Sequence, residues 1–365
     1  MPAVRPGVGA AAIAACAAVV VTCCSGCTRP QGETPAAGIT AVTTSTTTIA
    51  GAGVLGNQRR PDESCAGEPA HPELGEGPLR VNSGTDRGEV DVPADPQRII
   101  VLSGDQLDAL CALGLQSRIV AAATPAASGG QPSYLGTAIR DLAAVGTRSD
   151  PDRTAIANYH PDLILGSSTV QSGQYADLAA IAPTVFTGAP GPDWQQTLRA
   201  VGAATGRGEA AGRLIDEFNE QAHQLGEAID GAHFQASIVQ FTPGSVRVYG
   251  RENFPQTVLA AVGVDRPVAQ RFTDQPYTEI NVDGGALNGA DLAAADGDIV
   301  YVSFDSPEAK AAAPRILNSG AWRRLSASKD NRVFIVNNEV WQSGRGLIAA
   351  RGMLDDLRWL NAPIN

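Results

Sequence analysis

Aromatic side chains make up only 5% of this 365-residue chain, histidine occurs four times and methionine twice. With so few aromatics, each Trp or Tyr that falls in a loop becomes informative. Beyond the N-terminal segment no run of roughly eighteen uninterrupted apolar residues occurs, so nothing later in the chain is long enough to cross a bilayer as a helix. No Lys or Arg cluster exceeds a pair and the formal net charge is −11, which argues against nucleic acid as a partner. There is no Gly-x-Ser-x-Gly elbow, and the glycines of "GAATGRGEA" follow no strand, so neither a hydrolase nucleophile nor a dinucleotide loop is expected. Acidic pairs such as Asp355-Asp356 read as helix surface. The chain does not read as an enzyme, and no catalytic residues are assigned.

Cysteine is sparse and unevenly placed: Cys16, Cys23, Cys24, Cys27, Cys65 and Cys111. "VTCCSGCTRP" (21–30) has neither a second cluster nor a nearby His, so it lacks the ligands of a zinc site. Before it, "VGAAAIAACAAVVVT" (8–22) is apolar and about as long as a signal-peptide core, which reads as an export signal. Removing residues 1–26, whose one charged residue is Arg5, takes the net charge from −11 to −12. Cys27 follows Ser25-Gly26 and resembles the acceptor cysteine of the lipobox of bacterial lipoproteins. Cys24 departs from that motif, which prefers Leu there. The expectation is a lipidated Cys27 as the new N-terminus. Cys65 and Cys111 then remain as an even pair in an oxidising setting, which favours a disulfide between them.

Residues 27–87 read as a lipidated Cys followed by a Thr-, Pro- and Gly-rich tether, with no helix or strand period that reaches a core. From residue 88 to 192, apolar runs such as "RIIVLS" alternate with helical segments such as "GDQLDALCALGL", as in a parallel α/β lobe. Region 193–231 carries a linking helix over about 209–230. Its apolar stripe is Leu214, Ile215, Phe218, Ala222, Leu225 and Ile229. Residues 232–365 form a second α/β lobe with a closing helix. The fold class is α/β: two lobes with parallel sheets joined by a single long helix.

Three passages in order, "VPADPQRIIVLSGDQLDALCALGL", "VGTRSDPDRTAIANYHPDLILGSS" and "TLRAVGAATGRGEAAGRLIDEF", resemble the class III periplasmic binding proteins for iron-siderophores, haem and cobalamin. The likeness spans about residues 88–365. In detail it is nearest to the FecB-type binding lipoproteins of actinobacteria. The resemblance implies a monomer, lipid-anchored on the extracytoplasmic face of the plasma membrane. It implies capture of a ferric-siderophore, or alternatively haem, and delivery to an ABC permease. Where many members carry a permease-docking Glu, this chain has Thr154; the second-lobe counterpart is at best Asp283. That departure leaves room for an envelope scaffold that has lost transport.

Ligands of such lobes sit outside the carboxyl ends of parallel strands, which selects loops 103–106, 124–135, 146–150 and 166–174 in the first lobe. In the second lobe it selects 242–254, 270–280 and 337–345. Iron-bound carboxylate, hydroxamate or phenolate oxygens suit Arg forks and flat aromatic walls. Arg148, Arg251 and Arg345, with Tyr134, Tyr249 and Trp341, are therefore the candidate ligand-binding residues; Arg271 and Tyr277 are weaker ones. Neither His71, His160, His223 nor His233 falls in a cleft loop, which leaves Tyr249 or Tyr134 as haem ligands. No metal is bound directly and no intrinsic cofactor is expected.

Overall fold

The computed structural model describes residues 47–73, 77–125 and 130–361. The export signal, Cys27 and residues 126–129 of the loop 124–135 lie outside them.

Lobe one is built on five parallel strands in the order Ala144–Thr147, Ile119–Thr124, Ile99–Val101, Leu163–Ser167 and Thr184–Thr187. The central Ile99–Val101 is wholly apolar and wholly buried, as a strand covered on both faces must be. Helix α1 (Gly104–Ala112) follows it, with eight of its nine residues buried. Helix α2 (Trp194–Ala204) and the 21-residue helix α3 (Gly208–Ala228) then lead to lobe two. Ile215, Phe218 and Ala222 form the buried stripe of α3, and Phe218 meets Trp194 edge to face at 5.0 Å.

Lobe two differs from the all-parallel expectation. Its seven strands run Thr48–Ile49, Ala52–Val54, Val333–Ile335, Ile299–Phe304, Ala236–Phe241, Ser245–Tyr249 and Tyr277–Asn281. Ser245–Tyr249 is antiparallel to both of its neighbours. The short loop 242–244 permits no crossover, so the chain can only double back.

The first two of those strands come from the segment read as tether. Ala52–Val54 pairs in parallel with Val333–Ile335, covering a sheet edge that would otherwise be open, and Ala52 is buried in the lobe-two core. Further on, Leu79–Asn82 and Glu89–Val92 form a hairpin that begins in the expected tether and ends in the first residues of the expected lobe. Between these elements the chain works as a strap. Arg59 pairs with Asp356 at 2.6 Å, so that carboxylate, expected on a helix surface, is buried. Asp62 accepts from the Thr137 N–H at 2.6 Å. Cys65 and Cys111 are joined in a disulfide. Residues 52–65 thus start on the sheet of lobe two and end covalently on α1 of lobe one.

The lobes also share a core: Val101, Leu110, Phe218, Ile238, Tyr301 and Met353 belong to one continuous apolar cluster. The last helix, α4 (Leu347–Leu357), packs against α1 and α3. Its cap residue Gly346 has no side chain to offer, leaving the first N–H groups of the helix without a local acceptor. Asp108 of α1 supplies the acceptor, taking the N–H of Ile348 at 2.8 Å and of Ala349 at 3.1 Å. Tyr134 donates its hydroxyl to the same carboxylate at 2.8 Å.

Two predictions follow from these ties. The disulfide closes a sequence separation of 46 residues, and a cross-link of that span stabilises by about 4 kcal/mol in the chain-entropy picture. Reduction, or Cys65→Ser with Cys111→Ser, should lower the denaturant midpoint markedly, and an unchanged midpoint would contradict the strap. Burial raises the Asp108 carboxyl from 3.8 to about 6, outweighing its three donors. The folded state then holds this proton more tightly than the unfolded chain. Its contribution to stability is therefore full below 3.8 and is lost as pH rises through about 6. The stability of the wild type minus that of Asp108→Asn, measured by urea unfolding, should shrink across that window; a difference that grows would contradict the assignment.

Candidate functional site

The carboxyl ends of the lobe-one strands deliver four turns to one place. Leu102–Asp105 follows the central strand, Arg148 follows Ala144–Thr147, Val170 follows Leu163–Ser167, and Pro190 follows Thr184–Thr187. Opposite them stand Gln240 and Tyr249 from lobe-two strands, and Asn338, Gln342, Ser343 and Arg345 from the segment between the last strand and α4. Together they enclose about 340 Å³, within the size range of small-molecule sites. A second hollow of about 360 Å³, along Asp150–Thr154 and Gln174, is lined by lobe one alone; Thr154 and Asp283 are both exposed.

The charges in the cleft set it apart. Arg247 pairs with Glu279 at 3.1 Å, and Arg251 and Arg271 each pair with Asp265 at 2.7 Å. Among the described residues, Arg148 and Arg345 have no carboxylate within ion-pair distance. They come from different lobes, and Arg345 reaches across to donate to the Pro190 carbonyl at 3.2 Å. The Arg148 Nε is buried without a partner. Burial also lowers the pKa of Arg148, which the nearby Asp105 charge partly offsets. A Cβ at Gly104 would come within 2.6 Å of the Arg148 Nη2, so the bare glycine leaves room for this guanidinium against the turn.

Asp105 closes the floor of the cleft at 4% exposure. Burial raises its pKa against a hydrogen bond from the Ser103 hydroxyl and the field of Arg148 and Arg345. On the facing wall the Tyr249 hydroxyl donates to Gln240 Oε1 at 3.0 Å, and Gln240 Nε2 donates to Asn338 at 2.8 Å. Burial pushes the Tyr249 hydroxyl up to about 12, so at neutral pH it is a neutral donor. The cleft therefore offers two fixed cations, neutral hydrogen-bonding groups and one buried carboxyl, which suits a compact ligand with a surplus of anionic oxygens.

Of the six candidate ligand residues, the structure brings Arg148, Tyr249 and Arg345 together and sets three aside. Trp341 is fully buried, stacks on Tyr301 at 4.6 Å and donates its indole N–H to Asp356 at 2.8 Å. It is core, because the turn 339–343 is π-helical and directs it inward beneath the cleft wall. Tyr134 is buried with its hydroxyl on Asp108. Arg251 is committed to Asp265, as is Arg271. Tyr277 packs behind Tyr249 with its ring tilted and the centroids 5.4 Å apart, and lies under the Arg247 guanidinium. All four histidines are exposed and none lines the cleft, so Tyr249 is the one proposed haem ligand that faces it.

Sequence reasoning did not single out Ser103, Asp105, Gln240, Asn338 or Gln342. Asp105 had a usable signal: with Gln106 and Asp108 it is all the polarity in a helix otherwise apolar on every side, which points to buried polar groups rather than a wet face.

Residues 99–340, more than half of the chain, match the family model described as periplasmic binding protein. The chain is 29% identical over 273 residues to the probable siderophore-binding lipoprotein YfiY of Bacillus subtilis (strain 168), covering 73% of this chain and 82% of that protein. It is 26% identical to the achromobactin-binding periplasmic protein of Dickeya dadantii (strain 3937), over 72% of this chain and 85% of that one. Among solved structures, Staphylococcus aureus SirA complexed with staphyloferrin B shares the fold with a TM-score of 0.64 at 20% identity, covering 78% of this chain and 98% of SirA. The chain belongs to the periplasmic binding protein family.

Proposed function

We propose that the protein captures a ferric-siderophore between its two lobes at the outer face of the plasma membrane and hands it to an ABC importer. The observation that carries this reading is the pair Arg148 and Arg345, one guanidinium from each lobe, facing the same cleft with no carboxylate among the described residues within ion-pair distance and with the single buried carboxyl of Asp105 nearby. Two guanidiniums that face one cleft without an ion-pair partner suit an anionic ligand, whose oxygens accept charge-assisted hydrogen bonds from both. A ferric-siderophore is a compact anion or polar complex whose iron-bound oxygens supply acceptors for both. The relatives named as siderophore-binding and achromobactin-binding proteins support the same class of ligand. Lipid on Cys27 would hold the protein at the membrane, and the name of the Bacillus relative, a lipoprotein, agrees with that. Arg148, Tyr249 and Arg345 are the proposed ligand contacts, with Asp105 and Gln240 beside them.

Equilibrium titration with a panel of ferric carboxylate, hydroxamate and catecholate siderophores, with haem alongside, tests the reading. Saturable binding of at least one ferric-siderophore is expected. Arg148→Ala and Arg345→Ala should each cost about 1.5–3 kcal/mol, roughly ten- to a hundredfold in Kd. Saturation by haem alone, or by no ferric complex, would overturn it. Mass spectrometry of the membrane-purified protein should find Cys27 N-terminal and diacylglycerylated; an unmodified N-terminus elsewhere would remove the anchor.

A further inference from the structure

Asn338, Gln342, Ser343 and Arg345 make up much of one wall of the cleft. They belong to a single irregular segment between the last strand of lobe two, Val333–Ile335, and α4. Irregular backbone holds its side chains accurately only if something fixes it at both ends. Two carboxylates do so, and they point in opposite directions across the lobes.

At the near end Glu339 reaches into lobe one. Its Oε2 accepts from the backbone N–H of Ser133 at 2.9 Å, the N–H of Tyr134 at 3.1 Å and the Ser133 hydroxyl at 2.6 Å. It thereby serves the short 3₁₀ turn Ser133–Leu135, which has no cap of its own. At the far end Asp108 of lobe one takes the first free N–H groups of α4, as described above. Gly346 is the position that admits it, because a Cβ there would run into the Asp108 carboxylate. Tyr134 belongs to both ends: its N–H goes to Glu339 and its hydroxyl to Asp108. Asp108 is fully buried, and a buried carboxyl is tolerated only where its oxygens are hydrogen-bonded, as they are here by Ile348, Ala349 and Tyr134.

We infer that Glu339 and Asp108, joined through Tyr134, form a reciprocal latch between the lobes that fixes the segment 338–345 and so sets Arg345 opposite Arg148. These are positioning residues, since neither carboxylate lines the cleft. The functional meaning of the latch rests on the cleft being the ligand site proposed above.

Site-resolved hydrogen exchange on the full mature protein, without ligand, tests it, so a failed latch and a failed ligand reading are seen separately. Glu339→Ala removes a half-exposed side chain and should leave global stability within about 1 kcal/mol. Amides of Ser133 and Tyr134 should exchange faster, and so should those of 338–345, Ile348 and Ala349, by roughly threefold or more. Tyr134→Phe should loosen the same amides by removing the link, and Glu339→Gln, which keeps an acceptor oxygen, should restore part of the protection. Faster exchange confined to Ser133 and Tyr134 in Glu339→Ala, with 338–349 unchanged, would overturn the latch and leave two independent helix caps.

Discussion

Backbone N–H groups at the start of a helix need an acceptor, and at three helical starts of this protein the acceptor is borrowed from a distant part of the chain. Asp108 caps the last helix from lobe one, Glu339 caps a turn of lobe one from the far side of the cleft, and Asp62 of the strap caps the helix Thr137–Arg140. Each bond satisfies a local requirement with a distant residue, so each also ties together parts that the topology leaves separate. With the shared apolar core and the disulfide, these ties hold the cleft walls in register. A rigid cleft keeps its charges preorganised, which reduces the ordering cost of binding.

Arg148 and Arg345 form no ion pair with the acidic groups around them. The chain has 38 Asp and Glu against 27 Lys and Arg, so carboxylates are plentiful, yet Asp105 lies close enough to influence both guanidiniums without pairing with either. Ser103 and Thr197 hold its oxygens instead. A cleft in an acidic protein is thus left locally cationic, and the field at the site opposes that of the whole surface.

Much of this was legible in the sequence. Apolar runs marked the strands, the stripe Ile215, Phe218 and Ala222 marked the linking helix, and the segments chosen from the sequence contain Arg148, Tyr249 and Arg345, which line one cleft. The failures share one cause: a side chain in a loop has no periodicity to say which way it points. Trp341 lies in the right loop, but its π-helical turn directs it at Tyr301 and Asp356. Arg251 and Arg271 lost their candidacy to Asp265, a partner that nothing local announces. The strap was missed because strands of two and three residues are too short to show alternation; they exist only because an edge strand receives them. Asp108 and Glu339 carry their meaning in tertiary placement, and of the two only Asp108, on a helix without a polar face, left a trace.

A crystal structure of the protein with a bound ferric-siderophore tests the central claim most directly. The account predicts the complex between the lobes, with anionic oxygens within hydrogen-bond distance of both the Arg148 and the Arg345 guanidinium. A complex seated away from this cleft, or one touching neither arginine, would contradict it.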